Sequence, residues 1–279
     1  MSGNLSAAFS GVLERTSDRR MASLLCRASE LSPTAAALLN ETAAVRAPAY
    51  AFGRLTDGTM GTYIPFFDLI LLNGRLPDEE LLPTVVHETR HAGQHSFDNQ
   101  YDIKTSLCIG RTIEADASAF ECVSAYEMGQ HEPAVWDAFR KNRPEMAAAY
   151  LREAALPEKA LPEAFKAWFD NRRYAGKYDR RILRAMGSEH PVRRPSAEIL
   201  EKVCLFREKP YILETDFLNT PRALAVDRKT ALAARWKGFC LGDGSVRDLY
   251  VEDKNGALKP LSERKRLIPG IRAVRREGR

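Results

Sequence analysis

Apolar side chains recur at helical spacing through the first 45 residues. Leu5, Phe9, Val12 and Leu13 lie three or four apart, and Ser32-Pro33 opens a second run over residues 34–40. Proline suits a first helical turn because its missing N–H would have no partner there. The pattern predicts packing helices from Asn4 to about Val45. Over residues 47–73 the texture turns β-like, in three segments: residues 50–52, 60–64 and 68–73. Thr56-Asp57-Gly58 predicts a hairpin turn joining the first two, with Gly74 closing the sheet. Leu76-Pro77-Asp78-Glu79-Glu80 then reads as a helix start, its carboxylates in the turn where N–H groups are unpaired and the dipole is positive. Pro83 leaves two readings: the helix bends there, or a separate helix begins there. A second helix is predicted over about residues 107–128, after a loop at residues 98–102.

Beyond Pro133 the chain is again helical, with Trp136, Phe139, Tyr150, Leu151, Phe165, Trp168 and Phe169 as apolar anchors and prolines at 144, 157 and 162 as punctuation. Arg172-Arg173-Tyr174 and Tyr178-Asp179-Arg180-Arg181 read as a helix face with arginine stems over tyrosines. Short helices follow His190-Pro191, with a strand at Tyr211-Ile212-Leu213 and a turn at Gly242-Asp243-Gly244. The expected organisation is an N-terminal helical segment (residues 1–46), a domain with a short sheet and two helices (47–132), a mostly helical region (133–261) and a basic tail (262–279). The fold class is α+β, in a predominantly helical chain.

Charge narrows the choice of partners. Seven of the 42 Lys and Arg and two of the 37 Asp and Glu fall in residues 262–279, so the tail carries the whole net +5 and the rest balances at 35 against 35. A balanced body argues against nucleic acid or a membrane surface as partner. Five scattered cysteines form no C-x-x-C pair, which argues against a disulfide framework or a cysteine metal site and for a reducing compartment. Without a signal-like start or a long apolar run, the chain is expected in the cytoplasm.

The chemistry concentrates in Val85-Val86-His87-Glu88-Thr89-Arg90-His91-Ala92-Gly93-Gln94, an H-E-x-x-H pattern. On a helix His87 and His91 project from one face a turn apart and can share a metal ion. Glu88 beside them can take a proton from a water that the metal has acidified and return it to a leaving amine. A catalytic zinc normally has three protein ligands. His95, a further turn on, would stretch three ligands over about 12 Å of one helix, too far for a single ion. The metzincin pattern fails, because Gln94 and Phe97 stand where it needs glycine and histidine. The helix after the loop offers Glu114 and Asp116 among alanines, which permit close helix packing. These two carboxylates lie about 200° apart around the helix, so one of them faces the metal. Glu114, with the longer arm, is the preferred ligand, and Asp116 would then orient a ligand, cap a neighbouring element or be solvated.

With these residues the chain resembles the gluzincin-type zinc metallopeptidases, and among them the bacterial metallopeptidase domains that pair HExRHAxQ with a downstream EADA, here residues 87–94 and 114–117. The likeness spans about residues 47–128. It implies a zincin-like domain, and a strand ahead of the metal helix forming the rim on which an extended peptide pairs. The chain departs in having Thr112 four before Asp116 and Ser118 four after Glu114, where a helper Asp or Asn is common. Tyr63, Tyr101, Tyr126 and His131 all stay open as the oxyanion helper. The expected function is hydrolysis of peptide bonds in a peptide or protein substrate, with Zn²⁺ on His87, His91 and Glu114, Glu88 as general base and acid, and Asp116 supporting a ligand. The alternative is a non-catalytic binding or regulatory protein that keeps a degenerate metal site.

Overall fold

The apolar lead-in to the H-E-x-x-H motif becomes part of a largely buried helix, and the elements around it follow from the need to cover it. The computed structural model describes residues 6–56, 58–94, 96–97, 101–187 and 193–263. His95, Asp57, His190-Pro191 and the basic tail beyond Glu263 lie outside them. In chain order come α1 (Ala7–Arg15), α2 (Arg19–Leu31), α3 (Pro33–Val45), β1 (Ala49–Gly53), β2 (Gly61–Ile64), β3 (Leu69–Asn73), α4 (Asp78–Gly93) and α5 (Ile103–Gly129). Then follow α6 (Pro133–Asn142), α7 (Pro144–Glu153), α8 (Pro157–Trp168), α9 (Arg172–Ala185), α10 (Ser196–Val203), β4 (Leu205–Phe206) and β5 (Lys209–Pro210). The last are β6 (Ala225–Val226), α11 (Arg228–Leu241), β7 (Tyr250–Glu252) and β8 (Leu258–Pro260). Helices dominate and the sheets are small, which is the expected α+β class. No helix among the described residues is long and apolar enough to cross a membrane.

The chain divides into two compact units, residues 1–97, 112–171 and 198–214 in one, and residues 98–111, 172–197 and 215–279 in the other. In the first unit α4 is the axis of the core. Leu81, Leu82, Val85 and Val86 are fully buried, and α2, α3, α6 and the first sheet pack around the helix. Pro83 sits inside this one continuous helix, which starts at Asp78 and not at the proline. Asp78 itself is gripped by Arg20 at 2.9 Å and Arg27 at 2.8 Å. On the sheet side the Tyr50 hydroxyl meets the Thr89 hydroxyl at 2.9 Å in a buried pair that ties β1 to the motif.

The predicted hairpin between the first two strand segments does not form. The sheet order is β1-β3-β2: β3 pairs parallel with β1 and antiparallel with β2. The reason lies in composition. Leu69-Ile70-Leu71-Leu72 is the most apolar of the three segments and takes the centre, where both edges are paired and Ile70 and Leu72 are fully buried. The short turn instead joins β2 to β3, through a 3-10 turn at Pro65–Phe67 and Asp68 in the left-handed region.

The second unit is built on a buried ion pair. Arg111, 2% exposed, donates to both carboxylate oxygens of fully buried Asp179 at 2.8 and 2.7 Å, and to the Ala223 carbonyl at 2.6 Å. On α9, Arg180 pairs with Asp227 and Arg172 with Glu252, while the Tyr174 and Tyr178 hydroxyls bond each other at 2.7 Å. The strand expected at residues 211–213 is displaced to β4 and β5, where Leu205 pairs with Pro210 and Phe206 with Lys209, with one further backbone bond from the Tyr211 N–H to the Cys204 carbonyl at 3.1 Å. All five cysteines are free thiols. Burial pushes the Cys108 thiol up to about 11, which keeps it protonated and unreactive.

Candidate metal centre

The i,i+4 spacing does on α4 what helix geometry requires. His87 Nε2 and His91 Nε2 stand 3.0 Å apart, on imidazoles 7% exposed at residue level for His87 and 15% exposed at the side chain for His91. From α5, Glu114 Oε2 comes to 3.6 Å from His87 Nε2 and 3.8 Å from His91 Nε2. The approach rests on small side chains: Ala115, Ala117 and Ser118 are fully buried around it. These three residues are the described group able to hold a metal ion. The edge of a tetrahedron with ligands about 2.0–2.1 Å from its centre is about 3.4 Å, close to the three separations seen.

The ring nitrogens on the other side explain why this donor set suits a cation. His87 Nδ1 lies 3.1 Å from Glu121 Oε2, and a carboxylate can only accept, so Nδ1 carries the proton. His91 Nδ1 lies 2.7 Å from Gln94 Oε1, likewise an acceptor. Both Nε2 lone pairs are thereby turned toward each other and toward Glu114. Lone pairs and a carboxylate meeting at such distances repel unless a positive charge stands between them. In the bare protein a proton can serve. Burial pulls the His87 pKa down, but hydrogen bonding to Glu114 and Glu121 outweighs it and holds His87 well above the ordinary 6.5.

Glu88 is 6% exposed and packs against β2, where the Tyr63 backbone N–H donates to its carboxylate. Burial raises its pKa, and the neighbouring His87 and His91 pull it partly back. A carboxylate raised in this way is a better proton acceptor than an ordinary one. Asp116, fully buried, does not join Glu114. It accepts Arg90 through both oxygens at 2.6 and 3.1 Å, Gln94 Nε2 at 2.8 Å and the Tyr211 hydroxyl at 2.6 Å.

Of the four residues open as oxyanion helper, Tyr126 lies about 18 Å along α5 from Glu114 at 1.5 Å per residue, and His131 lies past the helix's end at Gly129. Tyr101 belongs to the other unit. Tyr63 borders Glu88 through its backbone, but its hydroxyl donates to Asp68 at 2.6 Å. Sequence reasoning passed over Glu121, although a carboxylate seven residues after Glu114 repeats on the same helical face. Gln94 and Arg90 stood inside the motif without a role. Tyr211 carried no local signal, being 95 residues from the aspartate it meets.

No curated protein and no solved structure matches the chain. A family model described as "Putative metallopeptidase family (DUF6782)" matches residues 6–211, about three quarters of the sequence, a span containing both histidines, the three glutamates, Asp116 and, as its last residue, Tyr211. A metallopeptidase requires a metal, and the convergence of His87, His91 and Glu114 supplies a place for one. The protein therefore belongs to this metallopeptidase family.

Proposed function

We propose that the protein is a zinc-dependent peptidase, with His87, His91 and Glu114 holding the ion and Glu88 moving the proton. The observation that carries this reading is the convergence of two Nε2 atoms and one carboxylate oxygen at near-tetrahedral separations, with a second, partly desolvated carboxylate next to it in the motif. Two imidazoles and one carboxylate are the donor set of many catalytic zinc sites, which keep a fourth position open. When bound, the ion polarises the scissile carbonyl and acidifies a water.

The chain's own part follows from its geometry. Glu88 accepts the proton of the attacking water on its carboxylate and delivers it to the leaving nitrogen. The Tyr63 N–H holds that carboxylate beside β2, so the base is fixed before substrate arrives. Glu121 and Gln94 hold the two imidazoles with Nε2 facing inward. Edge strand β2 has one side paired with β3 and its other side available to an extended peptide, which would lie beside Glu88.

Two variants test the proposal. Glu88→Gln keeps the ligands and should bind one zinc per chain while losing at least ~10²-fold in kcat on a peptide substrate. His87→Ala should lose the zinc itself. Peptidase activity unchanged in both variants would mean that the chemistry happens elsewhere, and zinc-loaded wild type inert toward a broad peptide library would favour a binding protein that keeps the site.

A further inference from the structure

Asp116 accepts four hydrogen bonds from three side chains, none of them a metal ligand, so the question is what a fully buried carboxylate does there. Its Oδ2 takes Arg90 Nε and Gln94 Nε2; its Oδ1 takes Tyr211 and the second Arg90 nitrogen. The Gln94 amide is thus bound on its nitrogen side by two groups that can only accept, Asp116 Oδ2 and the Ile113 carbonyl, each at 2.8 Å. That leaves one orientation for the amide, with Oε1 away from them and toward His91 Nδ1. An amide flipped the other way would point its oxygen at a carboxylate and its N–H₂ at the ring, forcing the imidazole proton onto Nε2.

The carboxylate is in turn held from two directions. Arg90, on α4, stacks over Phe120 at 4.2 Å and donates also to the Val203 and Leu205 carbonyls at 3.0 and 2.7 Å. Tyr211, just beyond β5, rests edge-on against Phe120 and Phe165. These contacts clamp the β4–β5 turn against the end of the motif helix.

We propose that Tyr211 is a positioning residue for the metal centre: acting through Asp116 and Gln94, it fixes which nitrogen His91 turns to the ion, so that residues 203–211 are part of the site. The inference rests on the reading of His91 as a metal ligand and deepens it. Without the phenol, Oδ1 keeps only the longer Arg90 bond, the carboxylate can swing, and the Gln94 amide is held firmly by only one of its two acceptors, the Ile113 carbonyl. The effect should reach the metal only along this chain of contacts.

The test is zinc affinity of the full-length, metal-free protein, by competition with a chromophoric chelator, for wild type, Tyr211→Phe, Gln94→Ala, the double variant and His91→Ala. Thermal unfolding without metal checks that each variant is folded. Outer contacts of a ligand histidine commonly set affinity by about 10–100-fold. Gln94→Ala is expected within that range, Tyr211→Phe near about 10-fold, and the double variant no weaker than Gln94→Ala alone, because the link is already cut. A merely structural tyrosine would instead give losses that multiply. Wild-type affinity in Tyr211→Phe, or multiplying losses in the double variant, overturns the proposal while the metal centre stands. No zinc bound by wild type, or none of it lost in His91→Ala, brings down the metal-centre reading and this inference with it.

Discussion

Gly61 and Glu88 approach so closely that a Cβ added to the glycine would stand 2.7 Å from the glutamate's Cγ and 3.0 Å from its Oε1. Strand β2 can lie against the motif helix only because position 61 has no side chain. Thr84, one turn earlier on the helix, would meet the same Cβ at 2.8 Å. Gly61→Ala should therefore push Glu88 or the strand aside while leaving the imidazoles in place. The expected result is a fall of about 10²-fold in kcat with zinc affinity within a few fold of wild type, since a displacement near 1 Å at a reacting group can have that effect. Unchanged kcat would show that Glu88 works from a different position.

Glu121 is buried beside His87, and although burial raises carboxyl pKa values, the His87 contact outweighs it and holds Glu121 below the usual range. It is ionised at neutral pH and turns the ring's Nε2 inward. Glu121→Gln keeps an acceptor but removes the charge, so zinc affinity should fall about 10–100-fold with little change in thermal stability of the metal-free protein. Equal affinity in a chelator competition would count against a carboxylate role for this residue.

Removing one partner of the Arg111–Asp179 pair leaves a buried charge alone. Asp179→Asn should destabilise the protein by about 3–5 kcal/mol, read as a drop in the urea midpoint. A loss under about 1 kcal/mol would mean that Arg111 finds water or another acceptor.

Asp227 caps α11 by accepting the Thr230 N–H at 2.6 Å and pairs with Arg180 at 2.7 Å. Burial pushes its pKa up, but the Thr230 and Arg180 hydrogen bonds outweigh it and set the carboxyl below 3.8. A folded pKa below the unfolded one gives stability that is present above the unfolded value and fades as pH falls through the folded one. Asp227→Ala should cost about 1 kcal/mol at pH 7, as for other caps, and the gap to wild type should narrow once pH drops below 3.8. A gap that widens in acid would contradict the assignment.

Much of the first unit was legible because its signals are local. The spacing of Phe9, Val12 and Leu13, the Ser32-Pro33 cap and the acidic first turn at Asp78 each act within one or two turns, and the helices form where these place them. The histidine pair is legible for the same reason, since four residues on a helix fix both distance and direction. The strand order was not. Pairing energy depends on which segment buries more on both faces, and β3 won the centre against a turn signal that favoured a neighbour in sequence. The displaced strand near Tyr211 has a related cause: the phenol is drawn to Asp116, and the short ladder closes on the bond from the Tyr211 N–H to the Cys204 carbonyl.

By itself the sequence determined the helix that carries two imidazoles and a carboxylate, and narrowed the third acid to Glu114 or Asp116, because rotation per residue around a helix separates the two. Only the tertiary structure decided between their surroundings, bringing Glu114 to the imidazoles and burying Asp116 with Arg90, Gln94 and Tyr211. The physical reason is range. Helical periodicity is set by neighbours within four residues, whereas the surroundings of Glu114 and Asp116 depend on hydrogen bonds that join residues up to 95 positions apart, whose meeting the packing of the core alone arranges.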